Sequence, residues 1–144
     1  MKKIFLAVSC FLMLVIPAFS NTPNEKVLKI FQATFLTPEQ VKWSEYENYY
    51  DVSFIQSGIR SRVKYDKEGN FLSSMRYYGE EHLPINVVSE LKKKYADKKV
   101  FGVTEITNED EVTYYVKLED AKRWYTVKIS GNGHILSTEK FWKA

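Results

Sequence analysis

In this 144-residue chain, few residues have types and spacing suited to chemistry. His82 and His134 are the two histidines, and neither has Cys, Asp or Glu at ligand spacing. A zinc site or a nucleophile–base pair needs convergent partners, so solvated loop histidines are the plainer reading. Asp66-Lys67-Glu68-Gly69-Asn70 has the look of a calcium loop, but it lacks the alternating oxygen ligands and closing Glu of an EF-hand. Asn108-Glu109-Asp110-Glu111 could hold a cation, or it is a solvated acidic turn. Lys92-Lys93-Lys94 with Lys98-Lys99 could touch anionic lipid, and the outer face of a helix gives the same pattern. No catalytic residue, metal ligand or cofactor site is assigned. An enzyme would need a polar cleft with a perturbed acid or base, and no such group stands out.

The aromatic residues are more informative. Phe31, Phe35, Trp43, Tyr50, Phe54, Tyr65, Tyr95, Tyr114 and Tyr125 fall on the covered faces of their elements. Tyr49, Tyr115 and Trp124 have the opposite parity and project beside Arg60, Arg62, Lys117 and Lys128. Exposed Tyr, Trp and Arg together have the composition of a binding hot spot. Tyr49, Arg60, Arg62, Tyr115 and Trp124 are therefore the candidate binding residues. Two other readings compete: cross-strand pairs that merely stiffen an exposed sheet, and a Trp124 that fills a seam between two halves of the molecule.

Strands must position these residues, and two hairpins organise the strands. Val63 to Leu72 and Val127 to Leu136 share a pattern: an alternating run, a small polar residue, Gly three places on, then apolar residues. Asp66 or Ser130 opens a turn, and Gly69 or Gly133 takes the φ > 0 position that a bulged hairpin needs. Val63 and Val127 are 64 residues apart, as are the two glycines, so the spacing predicts one unit used twice.

Before the first unit, Lys2 and Lys3 precede an apolar run from Ile4 to Ile16, then Pro17 and Ala18-Phe19-Ser20. This reads as a secretory signal peptide over residues 1–20, too short to span a membrane. Cys10 could mark lipid attachment, but the apolar run continues past it, so no stable membrane anchor is expected. Removing residues 1–20 leaves 124 residues, no cysteine, and 19 basic against 18 acidic side chains, a net charge of +1. Disulfide and thiolate chemistry are then excluded, and a nucleic-acid partner would need a clustered basic surface that the sequence does not display. The chain is expected to be exported, to the periplasm or beyond.

Residues 21–79 and 80–144 read as the two units. Thr22-Pro23-Asn24-Glu25 predicts a helix start with Thr22 as N-cap, and Val27, Ile30, Phe31 and Phe35 form its apolar face. Strand-like runs follow at Val41–Tyr46, Tyr49–Gln56, Ile59–Tyr65 and Phe71–Tyr78. After a polar joint, Val87, Val88, Leu91 and Tyr95 mark a second helix, with strands at Val100–Thr107, Val112–Leu118, Arg123–Ile129 and Ile135–Phe141. The expected fold is α+β: two tandem α-β-β-β-β repeats, with helices packed on one face of an antiparallel sheet. A unit of about 60 residues is marginal alone, so the two should share a core or pair edge to edge.

Phe35 with Val41-Lys42-Trp43, Tyr50-Asp51-Val52 and Tyr65 to Asn70 resemble the PepSY-like family described as β-lactamase-inhibitor-like. So do Leu83-Pro84, Lys92 to Tyr95, Tyr114 to Val116 and Ser130 to Gly133. The resemblance implies a non-enzymatic exported module that binds a protein or peptide and inhibits a hydrolase or peptidase. β-Lactamase inhibitor proteins carry disulfides and the mature chain has no cysteine, so β-lactamase binding itself does not carry over. The alternative is a small-ligand-binding accessory domain or an enzyme with an unrecognised site.

Overall fold

The computed structural model describes residues 22–144. The proposed signal peptide, its cleavage after Ser20 and Cys10 lie outside the described residues.

The chain begins with helix α1 (Glu25–Thr34), followed by strands β1 (Glu39–Glu45), β2 (Tyr49–Gln56), β3 (Ile59–Asp66) and β4 (Phe71–Tyr78). A 3-10 turn over Glu80–His82 leads into α2 (Ile85–Tyr95). Strands β5 (Lys99–Asn108), β6 (Glu111–Glu119), β7 (Arg123–Ser130) and β8 (Ile135–Trp142) complete the chain. The start of α1 lies two residues later than Thr22 predicted. Asn24 is the N-cap: its Oδ1 accepts from Val27 N at 3.0 Å while its Nδ2 donates to Lys67 O at 2.8 Å. One side chain thus satisfies an orphan helix donor and ties the helix to the β3–β4 turn.

Both anchoring hairpins turn as expected. Gly69 has φ 91° and Gly133 has φ 86°, and each donates its N–H to the turn-opening residue, Asp66 or Ser130. Asp66 Oδ1 also accepts from the backbone N–H groups of Glu68 and Asn70. The register slips by one residue at Lys64/Tyr65 and again at Lys128/Ile129, the bulges these turns require.

The expected fold class of two tandem α-β-β-β-β repeats is corrected. All eight strands form one antiparallel sheet in the order β1 to β8, and the helices are short, 10 and 11 residues. The decisive ladder is β4–β5, which runs unbroken from Ser73↔Asn108 to Tyr78↔Val103. Backbone groups of β4 that face β5 must be paired or solvated, and pairing across α2 joins the two halves instead of leaving β4 and β5 as further edges beside β1 and β8. The fold is predominantly β, a single meander interrupted once by a helix.

Both helices lie on the same side. Val27 and Phe31 of α1 are buried with Tyr50, Val52, Phe54, Val63 and Tyr65; the rings of Phe31, Phe35, Trp43 and Phe54 meet at centroid distances of 4.5–5.2 Å. Val87 and Leu91 of α2 are buried with Val116, Leu118, Tyr125, Val127 and Ile129. The sheet is continuous but the core is not. Between the two clusters, the helix-side positions of β4 and β5 include Ser74, Arg76, Glu105 and Thr107.

Candidate binding face

Alternation sends the other half of each strand's side chains to the face that carries no helix. Because the register is regular, these residues align into rows across the sheet. One row joins Ile55, Arg60, Tyr77, Thr104, Tyr115, Lys128 and Ser137, each opposite the next on strands β2 to β8. The adjacent row joins Lys42, Ser53, Arg62, Met75, Ile106, Thr113 and Ser130. These two rows hold four cations and no carboxylate. With strands about 4.8 Å apart and about 3.3 Å of rise per residue, the face measures about 30 Å by 25 Å. That is the size of one partner's share of a standard protein–protein interface.

The five candidate residues all lie on this face, at different places. Arg60 and Tyr115 belong to the first row and Arg62 to the second. Tyr49 sits at one end, stacked on Tyr46 at 4.5 Å with the rings 13° from parallel, and Lys64 Nζ is 5.2 Å from the Tyr49 centroid. Trp124 sits at the opposite end. It meets Phe101 edge-on at 5.0 Å, and Lys117 and Lys143 place their ammonium groups 4.7 and 4.6 Å from its ring. Trp124 on β7 reaches β5 through Phe101, but its ring neighbours all belong to the second half of the chain, so it does not fill a seam between β4 and β5. Its half-buried ring is held by neighbours on the helix-free face.

Arg62 differs from the other four. Its Nε donates to both oxygens of Asp51, at 2.7 and 2.9 Å, and Asp51 is only 3% exposed. This buried carboxylate on an otherwise open face raises the Arg62 pKa. The pairing fixes the guanidinium while its two Nη groups make no other hydrogen bond among the described residues. Arg62 and Asp51 border a dent of about 260 Å³ that also takes in Tyr49, Lys64, Met75 and Asn108.

Several exposed aromatics escaped the sequence reading, among them Tyr77, Phe101 and Phe141, at 44%, 62% and 51% exposure. Tyr77 could have been found from its place opposite Arg60 once the β3–β4 turn was fixed. Phe101 could not, because a register shift between Val100 and Gly102 breaks the alternation there. His82 packs edge-on to Tyr78, and Lys92 and Lys93 of α2 lie near Glu80 and Glu90. Among the described residues, no three His, Asp or Glu side chains converge as metal ligands would, and no helix is long and apolar enough to cross a membrane.

A larger cavity, about 590 Å³, lies on the other side of the sheet. It is a valley beside α1, walled by Ile30, Phe35, Phe54 and Phe71 and floored by Ser61, Val63 and Arg76. Sequence reasoning missed it, having taken the helix side as covered.

No family model matches the chain, and no curated protein matches it. Solved structures do. A BLIP-like protein from Bacteroides fragilis is 18% identical, with a TM-score of 0.65 over 85% of this chain and 89% of that one. A protein from Bacteroides eggerthii described as periplasmic is 16% identical, with a TM-score of 0.64 over 83% and 89%. A DUF2874 family protein from Bacteroides ovatus is 20% identical, with a TM-score of 0.64 over 83% and 88%. None of the three is called PepSY-like, so that part of the resemblance is not supported. At these identities the likeness is one of fold, and the fold is that of BLIP-like proteins.

Proposed function

We propose that this chain is an exported, non-enzymatic binding module that grips a protein partner with the helix-free face of its sheet. The observation that carries the reading is the pair of cross-strand rows holding Arg60, Arg62, Tyr77, Tyr115 and Lys128. Tyr rings lose little entropy on contact and Arg offers planar donors, so a flat sheet can bind without a pocket. Three of the four cations in those rows, Lys42, Arg60 and Lys128, form no ion pair among the described residues, and they favour an acidic partner surface through steering and through exclusion of basic competitors. Export is supported by the lysine-led apolar segment at residues 1–20 and by the periplasmic description of the Bacteroides eggerthii protein. An inhibitory role towards a hydrolase rests on the likeness to BLIP-like proteins alone.

The test is a binding titration with a partner captured from the exported fraction and identified by mass spectrometry. Arg60→Ala and Tyr115→Ala should each weaken binding by at least ~1 kcal/mol and leave the thermal midpoint within a few degrees. Lys29→Ala, on the exposed side of α1, should change neither. Unchanged binding by both face variants would remove the face from the account.

A further inference from the structure

The valley on the helix side has the build of a second site. Its walls are apolar, yet its polar groups are only partly satisfied. Gln56 is one of the residues lining the valley, and its Oε1 is shut off from solvent and accepts no hydrogen bond among the described residues. A buried acceptor without a donor is costly, and a native site that keeps one is a place to look for a ligand donor. Nearby, Arg76 Nη1 donates to Glu105 Oε1 at 3.2 Å, and the Tyr78 hydroxyl donates to the other oxygen of Glu105. The remaining N–H groups of Arg76 make no other hydrogen bond among the described residues, and its side chain is 42% exposed.

Register puts these groups close together. Phe54, Ser61, Arg76 and Glu105 form one cross-strand row on the helix side, and Gln56 is two residues along β2 from Phe54. The site therefore offers an apolar slot, an acceptor that needs a donor, and donors that can take an oxygen. Because Arg76 is already neutralised by Glu105, neither a strongly anionic nor a cationic head is favoured. One neutral group carries a donor and an acceptor side by side next to an apolar branch: the backbone amide of an apolar amino acid. The volume is that of an ordinary small-ligand pocket, enough for one large side chain and its flanking peptide units.

We propose that this valley binds an extended peptide by one large apolar side chain, with the Gln56 side chain turning so that its Oε1 accepts the peptide N–H, and a peptide carbonyl accepting from Arg76. The site is separate from the helix-free face and does not depend on it.

The experiment is an NMR titration of the ¹⁵N-labelled mature protein with acetyl-Ala-Phe-Ala-amide at millimolar concentration. Acetyl-Ala-Lys-Ala-amide and lauric acid, which has an apolar chain but no amide donor, serve as comparison probes. The expected result is saturable shifts in the amides of β3 and of Ser74 and Arg76 with the Phe peptide only. Gln56→Met should weaken binding about tenfold by removing the acceptor while keeping the shape. Ser74→Phe, which fills the valley, should abolish it. If Ser74→Phe does not fold, Gln56→Met decides. Three outcomes would overturn the proposal: no shifts at the valley, equal binding of the Lys peptide or lauric acid, or Gln56→Met binding as tightly as the native protein.

Discussion

At Gly69, backbone and packing impose the same demand. Its φ of 91° suits only glycine among common residues, and a Cβ built there would stand 2.5 Å from Ile30 Cδ1 of α1. Gly69→Val should cost more than ~1 kcal/mol in chemical denaturation. At Gly133 the added Cβ would meet Asn86 Nδ2 at 3.2 Å, a contact that an exposed side chain can relieve, so Gly133→Val should cost less. Arg62 needs a different expectation from the other face residues. Its removal strands Asp51 without its partner, so Arg62→Ala should lower stability by about 1–3 kcal/mol. It is therefore a poor probe of binding, and Arg60→Ala is the clean one. A melt of Arg62→Ala indistinguishable from the native protein would mean that solvent replaces the pairing. Asp120 adds a pH dependence. It accepts from the Tyr125 hydroxyl at 2.6 Å and from the backbone N–H groups of Lys122 and Arg123 at 2.8 Å, with Lys98 at 3.7 Å. These donors, Tyr125 first, hold its carboxyl well below the usual carboxylate range. A depressed folded-state pKa gives stability that is complete above the ordinary carboxylate value and fades as pH falls towards the folded one. Asp120→Asn should therefore melt below the native protein at pH 7, and the gap should narrow steadily between pH 5 and pH 2. A gap that stays constant would exclude the ionised carboxylate as its cause.

At the scale of elements, the β4–β5 ladder separates one sheet from two. In hydrogen exchange, the amides of Ser74, Arg76, Val103 and Glu105, which by antiparallel alternation bond across this ladder, should be protected like those of β3 and β6, and should open with them. Earlier exchange at β4 and β5 would mean that the ladder opens on its own. Much of this architecture was legible. Alternation placed β2 and β4 with their observed bounds, and the Asp66 and Ser130 turns were readable because Gly three places on has few other uses. The start of α1 was not, because Asn24 competes with Thr22 for the cap and wins by also bonding Lys67 O. The unity of the sheet was not, because the pairing of β4 with β5 spans α2 and leaves no mark on local periodicity. The valley left a signal that went unread. Ser74, Arg76, Glu105 and Thr107 are polar at helix-side positions, where a fully covered sheet would carry apolar residues.

For the whole molecule, the near-neutral balance of residues 21–144, a net charge of +1, is not spread evenly over the rows of the sheet. Lys42, Arg60 and Lys128, with the Asp51-paired Arg62, gather in two central rows of the helix-free face that hold no carboxylate, a clustering that only the register reveals. The five candidate residues were legible as outward-facing, but their distribution from Tyr49 at one end to Trp124 at the other was not, because it depends on which strands are neighbours. The central claim is that this face, and not the helix side, meets the protein partner. It is tested most directly by placing a photo-crosslinking amino acid at Tyr115 or Lys128 on the face, and at Lys29 or Ser89 on the helices, in the exported protein of living cells. The account predicts one discrete crosslinked partner from Tyr115 and Lys128, weakened by raised salt, and none from Lys29 or Ser89. Crosslinks from the helix positions alone, or none from either face position, would contradict it.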